Sequence, residues 1–356
     1  MPCSRLTWPF RQLLSARKYI VSYRVVSYTI CRRASNNVLG AIDGGLYDEV
    51  LVVRPQLPLV DRPLFCYCSG AVNPVSTRTQ VLKLSTCKVD GCVLAMASLD
   101  DEVFVVRSGD QQQVEVYTAK GFRLHRHISM PRSGYNWGLA ACARHRCLYM
   151  SDANQNSLLR ANLVGKDPVK KWSVAGCPVG VSVNRDHNVV VACCGANKIR
   201  EYTTDGFPVR EISRTGGEAG PWHAVQLASG DYVVIIKRPG VVNVVNVDGE
   251  VVSSYGHALT SSDSRMKFPT GIAVTQNDVI LVADTNNNRL LSINSERGSV
   301  QEVPLPVVDG IKFNLPLCLC LDQSRDRLYV GGERRVFMLD NAKLVYNSDA
   351  FKEVQA

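Results

Sequence analysis

The chain has no apolar run approaching the roughly 18 residues of a membrane-spanning helix, although 46% of its 356 residues are hydrophobic. It has no Gly-x-Ser-x-Gly, no His-Glu-x-x-His and no phosphate-loop pattern. The usual signatures of serine hydrolases, zinc proteases and nucleotide-binding enzymes are therefore missing. Thirteen cysteines are present, but none makes a Cys-x-x-Cys pair, which excludes the usual zinc-finger spacings. Cys66/Cys68 and Cys318/Cys320 are separated by one residue, so each pair points to one face of a strand. Cys142, Cys147, Cys193 and Cys194 lie inside apolar runs, the pattern of buried free thiols in a reducing compartment. Acidic residues are absent from positions 1–42, where Arg5, Arg11, Arg17, Lys18, Arg24, Arg32 and Arg33 supply seven of the nine net positive charges. The remaining chain is nearly neutral, so overall basicity is no argument for a nucleic-acid partner.

That acid-free start resembles a mitochondrial transit peptide, but its helical amphipathicity lapses past Ile20. The expectation is a poorly ordered basic extension on a cytoplasmic protein, with mitochondrial targeting as the alternative. Four prolines (Pro55, Pro58, Pro63, Pro74) break residues 43–78, which read as an irregular linker. Residues 1–78 are therefore assigned to extension and linker, and 349–356 to a C-terminal tail.

Between them the chain is repetitive. The stretch from Phe268 to Asn294 contains three short β-rich runs, with Gln276-Asn277-Asp278 and an Asp/Asn-rich loop as the turns. Asn and Asp tolerate left-handed backbone and bond their own main chain. Such a meander cannot bury its apolar faces alone, and similar units start near Val93, Asn136, Pro178, Pro221 and Pro316. Each reads strand, turn, strand, loop, strand, turn, strand, with Lys120-Gly121, Asp205-Gly206 and Asp248-Gly249 before the fourth strand. Four strands repeating every 40–48 residues predict an all-β fold, a six-bladed β-propeller of four-stranded antiparallel blades over 79–348. Residues 79–86 are expected beside Val336–Asp340, closing the ring and removing two edges, with Lys343–Tyr346 as competitor for that place.

The fifth unit, Phe268-Pro269-x-Gly271-Ile272-Ala273-Val274 followed by Leu281-Val282-Ala283-Asp284-Thr285-Asn286-x-Asn288-Arg289, resembles the NHL repeat. The second unit keeps Ser151-Asp152-x-Asn154-x-Asn156, and the third keeps Gly180 and Asn197-Lys198 with Cys193 in place of Asp. Asp284 and Asp152 are expected to tie down loop backbone, with Arg289 beside Asp284. NHL propellers occur in tripartite-motif ubiquitin ligases, where they bind protein or RNA, and resemble lyases and lactonases that hold a channel metal. This chain has no RING, B-box or coiled-coil pattern. The resemblance implies a non-catalytic recognition module for a protein or peptide, with RNA as the alternative ligand and a metal-dependent lyase or hydrolase third. No cofactor, metal or catalytic residue is assigned, and a monomer without membrane contact is expected.

Alignment places Leu94, Trp137, Val179, Trp222, Thr270 and Leu317 at one mouth of the channel. Trp137 and Trp222 make either an aromatic platform for a peptide or base, or packing against the neighbouring blade. His223 occupies the Gly271 position and is the best single channel ligand, though one His with a Cys across the ring is insufficient for a metal. His125, His127, His145, His187 and His257 fall in outer strands or turns. The loops after the second strands carry Arg107, Lys198, Lys237, Arg238, Arg289, Arg334 and Arg335, a candidate basic rim for phosphate or acidic peptide. The candidate binding set is Trp137, Trp222, His223, Lys198, Lys237, Arg238, Arg289 and Arg335.

Overall fold

The computed structural model describes residues 47–51, 82–109, 113–131, 138–165, 167–214, 219–256, 265–303 and 314–343. Trp137, His257 and the tail 349–356 lie outside them, as do most of the extension and linker. Within the segment expected to be irregular linker, a strand β1 (Tyr47–Leu51) pairs with Leu82–Thr86.

Among the described residues, every other regular element but one is also a strand. β2 (Leu82–Leu99) is followed by β3 (Glu102–Arg107), β4 (Gln113–Thr118) and β5 (Leu124–Ser129). The next unit comprises β6 (Leu139–Cys142), β7 (Cys147–Asp152), β8 (Ser157–Asn162) and β9 (Lys170–Ser173). Then come β10 (Pro178–Val183), β11 (Val189–Cys193), β12 (Lys198–Tyr202) and β13 (Pro208–Ser213). The fourth unit holds β14 (His223–Gln226), β15 (Tyr232–Ile236), β16 (Val241–Val245) and β17 (Val251–Tyr255). The fifth holds β18 (Pro269–Val274), β19 (Val279–Asp284), β20 (Arg289–Asn294) and β21 (Ser299–Val303), with a 3₁₀ turn at Thr285–Asn287. The last holds β22 (Cys318–Asp322), β23 (Arg327–Gly331) and β24 (Glu333–Asp340).

The middle four units are separate four-stranded antiparallel sheets, as expected of propeller blades. The first and last do not separate. They form one eight-stranded sheet, because β2 runs through both: Lys83–Cys92 pairs β24 and Val93–Leu99 pairs β3. The expected closing strand is thus present, but β1 lies outside it, so it is not the outermost strand of its sheet.

The sequence pattern explains where each strand sits. Second strands such as β11 and β15 are buried throughout because both their faces pack on neighbouring sheets. The outermost strands β13 and β17 are mostly exposed, and their sequences are correspondingly polar or mixed. Six apolar clusters fill the seams between consecutive units, and one of them joins Val93, Val105 and Tyr117 of the first unit to Cys318, Tyr329 and Met338 of the last. At the turns before β13 and β17, Gly206 and Gly249 have φ of +90° and +88°, a conformation a Cβ would penalise. Gly206 also lies against Trp172 of the preceding sheet, where a Cβ would meet the ring at about 3.0 Å.

The Asp-x-Asn-x-Asn motif is a staple between units. Asp152 Oδ1 accepts the Gln155 N–H at 3.1 Å. Asp284, fully buried, accepts from Lys267 N–H (2.7 Å), Asn287 Nδ2 (2.7 Å) and Arg289 Nε (2.8 Å), as the sequence predicted. Four residues past each Asp position, Asn156, Asn197 and Asn288 are left-handed at φ of 47°, 53° and 52°. Asn suits that backbone better than other L residues. The Asn156 and Asn288 amide oxygens accept the backbone N–H of Cys177 and Leu315, at the entry to the following unit. Asn197 binds the Arg214 guanidinium instead, at 3.0 Å.

Candidate functional site

The first strands converge on an axial cavity lined by residues from every unit, including Leu94, Gly138, Val181, Trp222, Thr270 and Leu317. Its internal space is about 20 Å³, room for roughly one water. The units approach closely here: a Cβ on Gly180 would stand 2.6 Å from the His223 Cα, and one on Gly271 would stand 2.9 Å from the Cys318 Cα. The glycines that mark the repeat are contact points between neighbouring first strands.

His223 takes the place of such a glycine. Its backbone pairs with Ile235 and its ring lines the cavity. Burial drives its pKa down to about 4, against a hydrogen bond to the Val181 backbone that favours the charged form. Nε2 is buried without a hydrogen-bond partner among the described residues. The imidazole is neutral at physiological pH.

Trp222, immediately before β14, opens onto the same cavity. Its face is covered: the Lys237 ammonium lies 3.4 Å from the Trp222 centroid and 4.1 Å from that of Phe268, across the seam between the fourth and fifth units. Arg238 follows, exposed, with its guanidinium carbon 5.7 Å from the Phe268 centroid. A cation over an aromatic face is stabilised by the ring quadrupole, by about 0.5–2 kcal/mol. Burial and the adjoining Arg238 nevertheless lower the Lys237 pKa to about 8, and the neighbouring Cys194 opposes that shift. Arg265 and Lys267, on the approach to Phe268, are exposed.

The other expected cations are placed differently. Lys198 pairs with Glu211, and Arg107 pairs with Glu115 and the Asp90 carbonyl. Arg289 is bonded to Asp284 and lies 3.5 Å from Glu302. Arg335 is opposite Lys88 in the closing sheet, half-buried, and Arg334 beside it is exposed. The structure therefore brings Trp222, His223, Lys237 and Arg238 together, and leaves Lys198, Arg289 and Arg335 in other units. Phe268 was missed as a site residue. The signal was its position before Pro269, two residues ahead of the aligned mouth residue Thr270, where the fourth unit has Gly220.

At the opposite rim, in the turns between first and second strands, Cys142 Sγ lies 3.3 Å from His145 Nδ1 and 3.9 Å from His187 Nδ1. Among the described residues no three His, Cys, Asp or Glu side chains are arranged to hold a metal ion. No helix among them is long and apolar enough to cross a membrane.

Residues 266–291 match the family model described as the NHL repeat. Comparison with curated proteins gives no match. Among solved structures, virginiamycin B lyase from Staphylococcus aureus is similar with a TM-score of 0.54 at 13% identity, over 73% of this chain and 99% of the lyase. A protein of unknown function from Bacteroides caccae gives 0.53 at 18% identity, over 64% and 81%. Hydrazine synthase from Kuenenia stuttgartiensis gives 0.53 at 19%, over 75% and 83%. At these identities the likeness shows the fold alone, an all-β propeller.

Proposed function

We propose that this protein is a non-catalytic propeller recognition module that takes an acidic segment of a protein partner at the Trp222–Lys237–Phe268 mouth. The observation that carries the reading is the Lys237 ammonium held between two rings, with exposed Arg238 beside it. The rings hold the ammonium in place, and Arg238 makes no ion pair among the described residues. A carboxylate or phosphate on a partner meets two cations whose aromatic supports limit their freedom, which lowers the entropic cost of the contact.

We also infer six blades. The eight-stranded sheet is read as two blades sharing β2, its first half ending the last blade and its second half beginning the first. The six seam clusters fit that count.

RNA is the alternative ligand. It fits less well, because the Trp222 face that a base would stack on already carries Lys237. A lyase- or hydrolase-like channel reaction needs space for a substrate and a set of ligands or acid–base groups. A cavity of about 20 Å³ with one imidazole offers neither. A part in protein ubiquitination rests on resemblance to tripartite-motif ligases, and would make this chain the recognition half of an assembly with a separate RING protein.

The test is fluorescence anisotropy of the full chain against acidic, phosphorylated, neutral and basic peptides and a single-stranded RNA, at several salt concentrations. The reading expects selection of acidic or phosphorylated peptides, weakened at least tenfold by Lys237→Glu. RNA binding without peptide binding, with a steep salt slope, would replace it with the alternative.

A further inference from the structure

We propose that Cys177 and Cys194 form a dithiol site that a hydroperoxide oxidises to an intrachain disulfide beside the channel mouth. The β10–β11 ladder pairs Pro178 with Cys193, and the pairing continues beyond the strands. Cys194 N–H donates to the Cys177 carbonyl at 3.1 Å, and Gly195 N–H to the Gly176 carbonyl at 3.0 Å. The Cys194–Cys177 backbone bond therefore sets the two residues against each other at the end of the ladder, where Cys177 is left-handed at φ 57° and its Cβ lies 3.2 Å from where a Cβ on Gly195 would stand. Opposed residues of an antiparallel pair have Cα atoms about 4.5–5.5 Å apart, inside the range of roughly 4.4–6.8 Å that disulfides span. Burial and the neighbouring Cys177 thiol push the Cys194 pKa up to about 12, and both residues are half-exposed.

The other cysteines among the described residues differ. Cys142 and Cys147 are also opposed across a ladder, but both are buried, with 1% and 0% exposure. Cys193, Cys318 and Cys320 are buried as well. Cys87 and Cys92 are half-exposed but face Val336 and Glu333. Among the described residues, only the 177/194 pair combines access with a thiol on the adjoining hydrogen-bonded segment.

The step balances with a hydroperoxide as oxidant. One sulfur attacks the terminal peroxide oxygen, the O–O bond breaks, and a sulfenic acid forms with loss of water or alcohol. The second thiol attacks that sulfur, the S–S bond forms, and a second water leaves with the sulfenic oxygen. The two thiols lose two protons and two electrons, and the peroxide is reduced by two.

The site is coupled to the mouth through backbone. A Cβ on Gly220 would stand 2.7 Å from the Cys194 Cα, so the segment entering Trp222 rests on Cys194. Cys194 also neighbours Lys237, where it opposes the lowering of the Lys237 pKa. The entry of the third unit is tied from the other side by Asn156, through the Cys177 N–H. A disulfide here fixes the two chain segments on which the Trp222 approach is seated.

The inference stands whether or not the mouth binds a peptide, because it is read covalently. The reduced full chain is titrated with hydrogen peroxide, free thiols are alkylated, and non-reduced peptides are mapped by mass spectrometry. The expected result is a Cys177–Cys194 crosslink as the first product, with these two of the thirteen thiols lost together. Cys177→Ser and Cys194→Ser each abolish that crosslink, and Cys92→Ser leaves it unchanged. Should a serine variant fail to fold, the wild-type peptide map decides alone. Crosslinks formed first elsewhere, or Cys177 and Cys194 still alkylatable after the half-exposed Cys87 and Cys92 have been oxidised, would overturn the proposal.

Discussion

The fourth and fifth units lie side by side and meet the same packing problem with different residues. In the fifth, Pro269 is opposite Asp284 and Gly271 opposite Ala283; in the fourth, His223 is opposite Ile235. That register aligns Asp284 with Ile236 and Arg289 with Val241, since Asp284 pairs with Arg289 and Ile236 with Val241. A buried ion pair in one unit is thus a buried apolar pair in the next, an exchange that often costs little. The alignment also sets Thr270 against Trp222 and Thr285 against Lys237. In the fifth unit the two hydroxyls are hydrogen-bonded at 2.7 Å and also reach the backbone of the following unit. In the fourth, the same two places hold an ammonium 3.4 Å above an indole. The fifth unit uses these positions to bind its neighbour, while the fourth turns them into a cation at the channel mouth.

The largest effect is expected where the fifth unit's device is broken. Asp284→Ala removes three hydrogen bonds and leaves the Arg289 guanidinium without its buried partner. A loss of about 3–5 kcal/mol is expected, the usual result of breaking one side of a buried pair. Urea unfolding followed by circular dichroism measures it. Ile236→Ala in the fourth unit removes only apolar contacts and is expected to cost about 2–4 kcal/mol, with no change in its pH dependence.

The second effect isolates His223. Its folded pKa, about 4, lies below the unfolded value near 6.5. As pH falls below that unfolded value, the unfolded state takes up a proton that the folded state refuses until about pH 4. Stability is then lost by roughly 1.4 kcal/mol per pH unit. Wild type is expected to lose about 2 kcal/mol more than His223→Gln between pH 7 and pH 5. Parallel pH profiles of the two proteins would contradict a buried neutral imidazole.

The smallest effect concerns the mouth cation. Lys237 has its pKa lowered to about 8, so its positive charge is present below that pH and lost above it. Affinity for an acidic peptide is expected to fall several-fold from pH 7 to pH 9, and Lys237→Arg should flatten the profile. Lys198→Ala, in the third unit and already paired with Glu211, should change affinity less than twofold.

Much of this architecture was legible in the chain. Repeating β-rich runs, Asp-Gly turns and the Asp-x-Asn-x-Asn loop identify the strands and the staples, because those residues have local conformational causes. The closing strand was legible from its position before the first unit. Its continuity into the next sheet was not, since the closing segment was ended at residue 86 and the first unit begun near Val93, while β2 runs unbroken from Leu82 to Leu99. β1 was hidden because it falls in the segment that Pro55, Pro58, Pro63 and Pro74, all beyond it, caused to be read as linker. At the site, alignment found Trp222, His223, Lys237 and Arg238, yet it also selected Lys198 and Arg289. Glu211 and Asp284 bind those two; Arg289 beside Asp284 was expected from the repeat, whereas the Lys198–Glu211 pair is visible only when neighbouring strands are paired in space. Phe268 was overlooked because its contact to Lys237 crosses a seam between units, which no single repeat can display.

The central claim is that the fourth unit's departures from the repeat form a ligand site. Its most direct test is anisotropy of one acidic peptide against the wild type, Trp222→Ala and Lys237→Glu, with folding of each checked by its melting temperature. At least tenfold weaker binding by both folded variants is the expected result. Equal affinity for all three proteins would place the ligand elsewhere and leave the Trp222–Lys237 pair a packing feature.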